Sequence, residues 1–215
     1  MKFTFGNAKR LTYNTTSYPI TLAEVKALSK WFVINPTDTS IDTWISTFVI
    51  PKAVDQFEKM SGYLIQDQSF QASIPSLQSP IYNTFKADLL HLNVRTVNDV
   101  LYYPCEWNNT DAKTILDTEA YYFTAEFGNT PFIFDLKSCY LSFYPIKNNI
   151  ETSYSGGFEE NDFTNLPIDI KETLIMYAAD LVDIKKELCD CMGFHNGWIS
   201  QTINRYSKQQ DLMIF

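Results

Sequence analysis

Apolar positions along this chain follow two different periods. Leu22, Val25, Leu28 and Phe32 recur at helical spacing, and Thr21 with Glu24 makes a capping-box pattern just ahead of them. The spacing predicts a helix over 22–32, stopped by the turn Asn35-Pro36-Thr37-Asp38. A second helix is predicted from about Ile41 to Ser61, with Ile41, Trp44, Ile45, Phe48 and Val49 on one stripe that resumes at Val54, Phe57 and Tyr63. Pro51 lacks a backbone donor and crowds the preceding turn, so a kink is predicted near Phe48 to Pro51, and Gly62 is a natural cap. Far downstream, Ile170, Leu174, Ala178, Leu181, Val182 and Leu188 predict a long helix that opens at Pro167 and ends near Met192-Gly193. Trp198, Ile199, Thr202, Ile203 and Tyr206 predict a short C-terminal helix.

Between these helical blocks the period shortens to two. Residues 92–97, 100–103, 121–127 and 139–144 read as strands, separated by turn signals at Trp107-Asn108-Asn109-Thr110, Phe127-Gly128-Asn129-Thr130-Pro131 and Lys147-Asn148-Asn149. A helical turn is expected at Asp111 to Leu116, and a last strand at 151–158 leads into Gly156-Gly157, where positive φ permits a sharp exit from the sheet. The fold class expected is α+β: a bundle of three to four helices with an inserted, mostly antiparallel β-sheet lobe. The divisions expected are an N-terminal arm at 1–19, a helical part of the core at 20–66, a β-rich insertion at 67–158, a long helix completing the core at 159–193, and a C-terminal helix and tail at 194–215. The tail ends in Leu212-Met213-Ile214-Phe215, which either folds back onto its own core or docks on another subunit.

Composition narrows the function. The 215 residues carry 16 Phe, 13 Tyr and 4 Trp, more aromatic surface than a core of this size needs, which suits protein–protein contact. A formal charge of −8 argues against gripping a phosphate backbone, which takes clustered Lys and Arg. It is compatible with a conduit that lets DNA pass, since acidic walls repel phosphate. No apolar run is long enough for a membrane span, and the first residues lack the apolar stretch of a secretory signal. Cys105, Cys139, Cys189 and Cys191 have no disulfide-framework spacing.

Candidate chemistry is sparse. A triad would need His91 or His195; the first sits in the apolar Leu89-Leu90-His91-Leu92, the second in the turn-like Gly193-Phe194-His195-Asn196-Gly197, and both read as structural. Cys189-Asp190-Cys191 near His195 raises a metal site, but zinc pairs are commonly spaced C-x2-C, so no metal or cofactor is expected. Neither phosphate-cradling glycine motif is present. Lys185-Lys186 and Arg205-Tyr206-Ser207-Lys208 are the strongest basic spots, either solvated or facing an acidic neighbour.

Four motifs stand in a recognisable order: Thr21-Leu22-Ala23-Glu24-Val25-Lys26-Ala27-Leu28, then Glu58-Lys59-Met60-Ser61-Gly62-Tyr63, Tyr154-Ser155-Gly156-Gly157-Phe158, and Leu166-Pro167-Ile168-Asp169-Ile170-Lys171. Over roughly residues 20 to 190 the chain resembles the phage head–tail connector family, also called head-completion or adaptor proteins. Asp183-Ile184-Lys185-Lys186-Glu187 is similar in charge to the family's helix end but lacks its usual Arg. The resemblance implies a non-enzymatic virion protein, made in the host cytoplasm and placed at the head–tail interface. Its implied partners are other copies in a ring of about twelve, the portal protein, tail or further ring proteins, and genomic DNA passing without sequence-specific binding; no membrane is involved. Lys185, Lys186, Trp198, Arg205, Tyr206, Leu212 and Phe215 are the residues expected at interfaces, with Gly156, Gly157 and Pro167 as structural turns. The alternatives are a tail or fibre adaptor module using the aromatic sheet, and a small metal-dependent enzyme using Cys189, Cys191 and His195.

Overall fold

Thr21 caps the first helix as its spacing to Glu24 requires. Its Oγ1 accepts from the Glu24 N–H at 3.3 Å, while the Glu24 carboxylate accepts from the Thr21 N–H at 2.7 Å. The computed structural model describes residues 2–4, 6–74, 84–102, 114–115, 121–123, 131–135, 150–186 and 194–207. Helix α1 (Leu22–Leu28) does not run to 32. It breaks at Ser29, and α2 (Lys30–Ile34) restarts with a new set of unpaired N–H groups.

The predicted kink takes the form of a five-residue π-helical turn. A short α3 (Asp42–Trp44) leads into this turn at Ile45–Val49, which continues as α4 (Ile50–Ser61). The Ile50 N–H reaches back five residues to the Ile45 carbonyl. Widening the helix just before Pro51 relieves the clash between the proline ring and the carbonyl four residues back. Gly62 closes α4 at φ 72°, donating its N–H to the Glu58 carbonyl at 2.8 Å. Pro167 precedes α5 (Ile168–Lys185), where its missing N–H costs nothing, and α6 (Phe194–Tyr206) follows.

The chain divides into two compact units. The helical unit is Thr15–Ile65 with Phe158–Phe215. Its core gathers the stripes the spacing marks: Val25 and Phe32, Ile45, Val49, Val54 and Phe57, Ile170, Leu174 and Val182, with Ile199 and Ile203 of α6. The sheet unit is Met1–Asn14 with Gln66–Gly157. It holds strands β1 (Lys2–Thr4), β2 (Gly6–Tyr13), β3 (Gln68–Ile74), β4 (Thr84–Asp88), β5 (Val94–Tyr102), β6 (Thr114–Ile115), β7 (Tyr121–Phe123), β8 (Pro131–Asp135) and β9 (Ile150–Gly156). One sheet runs β2-β3-β9-β5-β6 and is antiparallel throughout; the other runs β1-β4-β8-β7, with only β1 and β4 parallel. The class is α+β, a helical bundle with an inserted, mostly antiparallel sheet lobe.

Several local expectations change. The first fourteen residues are not a free arm. β2 pairs along β3, where the Thr12 and Ser69 hydroxyls meet at 2.7 Å, and Tyr18 and Ile20 join the helical core. The helical turn expected at Asp111–Leu116 is contradicted at Thr114–Ile115, which pair with Leu101 and Tyr102 of β5. Pro131, read as the end of a turn, begins β8, a first-residue position where proline is tolerated. The strand expected at 139–144 and the turns near 107–110 and 147–149 lie outside the described residues.

Candidate assembly surface

Several residues singled out from the sequence have a definite place, beginning at the joint between α1 and α2. Asp183, in the last turn of α5, is buried. Its carboxylate accepts from Ser29 Oγ at 2.7 Å and from the N–H groups of Lys30 and Trp31, each at 3.1 Å. A side chain from a distant helix thus does the N-cap's work, and the negative charge meets the positive end of α2's backbone dipoles. Beside it, Lys186 is not a free cation. Its Nζ lies 4.3 Å from the centre of the Trp31 ring and 3.9 Å from Asp38 Oδ2. Asp38 also accepts from Trp31 Nε1 at 2.8 Å and from the Ser40 N–H at 2.8 Å. Hydrogen bonds from Ser40, then from Trp31, hold the Asp38 carboxyl down at about 2. Lys185, one residue earlier, is exposed.

At the other end of α5, Arg205 and Tyr206 turn inward to one partner. Asp169 accepts from Arg205 Nη1 at 2.7 Å and from the Tyr206 hydroxyl at 2.9 Å. Tyr206 belongs to the core and meets Tyr63 edge-on at 5.3 Å between ring centres. Burial, then the bond to Asp169, raises its phenol to about 12. Of the expected interface set, then, Lys185 stands clear in solvent, Arg205 is exposed but paired, and Lys186 and Tyr206 serve the fold. The Trp198 side chain, Leu212 and Phe215 lie outside what is described.

Positive φ was expected at Gly156-Gly157, and of the pair only Gly157 takes it. Gly156 ends β9 and Gly157 takes φ 86°, its N–H donating to the Asn93 carbonyl at 3.0 Å. Tyr154 is fully buried beside them, its hydroxyl 2.6 Å from His91 Nδ1, and Phe70 stacks on both rings. Burial pushes the Tyr154 phenol up. His91 is half-buried and packs against the core residues Phe70 and Tyr154. Among the described residues no three His, Cys, Asp or Glu side chains gather as metal ligands, and no helix is long and apolar enough to cross a membrane. The four cysteines and the His195 side chain lie outside the described residues.

What sequence reasoning missed is apolar surface. Val33 and Ile34, in the last turn of α2, are 72% and 65% exposed, and Ile168 and Met60 are 68% and 58% exposed. The periodic stripe assigns core positions but is silent on large apolar side chains left outside it; their off-stripe placement was the available signal.

No protein-family model matches the chain, and no curated protein does. Solved structures do. A chain from the neck of an empty gene transfer agent particle, computed with C6 symmetry, superposes with a TM-score of 0.64 at 14% identity, over 96% of this chain and 97% of that one. This chain shares its fold with that chain. A chain from the virion of a native gene transfer agent particle gives 0.61 at 15% identity over 94% and 98%, and one from a native neck computed with C12 symmetry gives 0.57 at 13% over 94% and 98%. The neck fold spans both units, and it agrees with the connector resemblance of the four motifs.

Proposed function

We propose that this chain is a structural subunit of a virion neck: a head-to-tail connector that closes side by side into a ring beneath the portal and surrounds the DNA channel. The observation that carries the reading is the match over 96% of this chain and 97% of the other. A partial match would leave the lobe free for another task; a match of this extent supports reading the whole chain as one tile. The symmetric particles of the neighbouring folds support a closed ring, with twelve copies as the proposed number and the portal and tail proteins above and below. Twelve copies at −8 each carry roughly −100 formal charges, so acidic side chains facing the lumen would repel DNA phosphate and keep it from sticking. The subunit acts by position and needs no catalytic group.

The test is native mass spectrometry of the purified protein, alone and mixed with its portal protein. A single closed species of fixed copy number, alone or on the portal, supports the reading. A chain that stays monomeric at high concentration and also ignores the portal refutes it.

A further inference from the structure

Ring closure needs two unlike surfaces that fit each other, because a surface that fits only itself stops at a dimer. The helical unit carries two such surfaces at opposite ends of α5, whose 18 residues span about 27 Å. At the C-terminal end, Asp183 holds the start of α2 in place, so the exposed Val33 and Ile34 lie one helical turn from the joint. Exposed Ile184 and Lys185 lie beside that same joint in sequence. Of the acids described at this end, Asp183 is engaged by α2 and Asp38 by Trp31, Ser40 and Lys186. This end is apolar with a positive edge.

At the N-terminal end the sign is reversed. Exposed Ile168 shares a helix face with exposed Glu172, four residues on. The close of α4 lies at this end too, since Tyr63 packs on Tyr206 and Tyr206 bonds Asp169, which brings exposed Met60 into the neighbourhood. The Phe158 N–H donates to the Ile65 carbonyl at 2.9 Å, which sets exposed Glu160 nearby. The cations described at this end are each paired within the fold, Arg205 with Asp169, Lys171 with Glu24 and Lys59 with Asp55. This end is apolar with a negative edge.

We propose that neighbouring copies in the ring meet through these two ends: Val33, Ile34 and Lys185 of one subunit against Ile168, Met60 and Glu172 of the next. The inference rests on the ring reading and gives it a contact. Two exposed apolar groups of matching kind, bordered by opposite charge, are what a repeating head-to-tail interface requires. A dimerising patch would instead be complementary to itself.

The experiment compares assembly of the full chain with its portal protein, by sedimentation velocity, for wild type, Val33→Asp, Lys185→Glu and Glu172→Lys. All three substituted positions are exposed, and circular dichroism checks that each variant folds. Val33→Asp and each single charge reversal should raise the concentration needed for assembly at least tenfold. Mixing the Lys185→Glu and Glu172→Lys proteins in equal amounts should restore it, because alternating copies then face opposite charges at every contact, and a ring of six or twelve accommodates alternation. Variants that assemble as wild type, or a mixture without rescue, overturn this contact while leaving the ring intact. Failure of wild type itself to assemble overturns the ring reading, and this contact with it.

Discussion

Asp183 shows how much one side chain can decide. Its carboxylate ties the end of α5 to the start of α2 through three hydrogen bonds in a buried setting. Asp183→Ala removes the cap and strands the Ser29 hydroxyl, and should cost about 2–4 kcal/mol in urea unfolding. Arg205 and Tyr206 separate surface from core at a shared acid. Arg205→Ala loses one solvent-screened pair and should cost under about 1 kcal/mol, whereas Tyr206→Ala empties a core position and should cost about 3–5 kcal/mol. Asp38 gives a pH prediction with a definite sign. Its folded carboxyl titrates at about 2 against 3.8 for the free side chain, so its contribution is complete above pH 3.8 and disappears as pH falls towards 2. Asp38→Asn should therefore flatten the loss of thermal stability over that window and leave the slope above pH 5 unchanged. None of these partnerships was legible in the sequence. Lys186 and Tyr206 read as interface candidates because a basic pair and an amphipathic tail look exposed until their partners, up to 155 positions away at Trp31, are placed.

At the scale of elements, local chemistry was a good guide and long-range pairing was not. The capping box, Gly62, Pro167 and the glycine turn all act where their residue types require. Gly157 sits at φ 86°, a region that a β-carbon disfavours, so Gly157→Ala should cost on the order of 1–2 kcal/mol and lower the melting temperature. The kink before Pro51 was visible as a proline in a helical stripe, but not its form, since a π turn depends on which carbonyl each N–H finds. Helix 22–32 broke at Ser29 for a reason the stripe cannot carry, a carboxylate from another helix. β2 was missed because its partner β3 lies some sixty residues on and its own pattern is interrupted twice by register shifts. Strand order, with β9 between β3 and β5, is likewise set by pairings that no local window contains.

For the whole molecule, the α+β class followed from the change of period alone, whereas the strands β1 and β2 ahead of the first helix did not. The proposed function was legible only as an ordered set of weak motifs, because the structural tile it describes has no chemistry that demands particular residues at fixed spacing. Its work is done by surfaces, and surfaces emerge only when the core has been assigned: Val33, Ile34 and Ile168 become informative once they are known to be outside it. The acidic charge and the shared fold both support the proposed ring subunit. The most direct measurement is a cryo-electron microscopy reconstruction of the neck of particles carrying this protein. The account predicts a closed ring of copies directly under the portal, both units of every subunit in density and the axis open for DNA. Density for this chain elsewhere on the particle, or as single unringed copies, would contradict it.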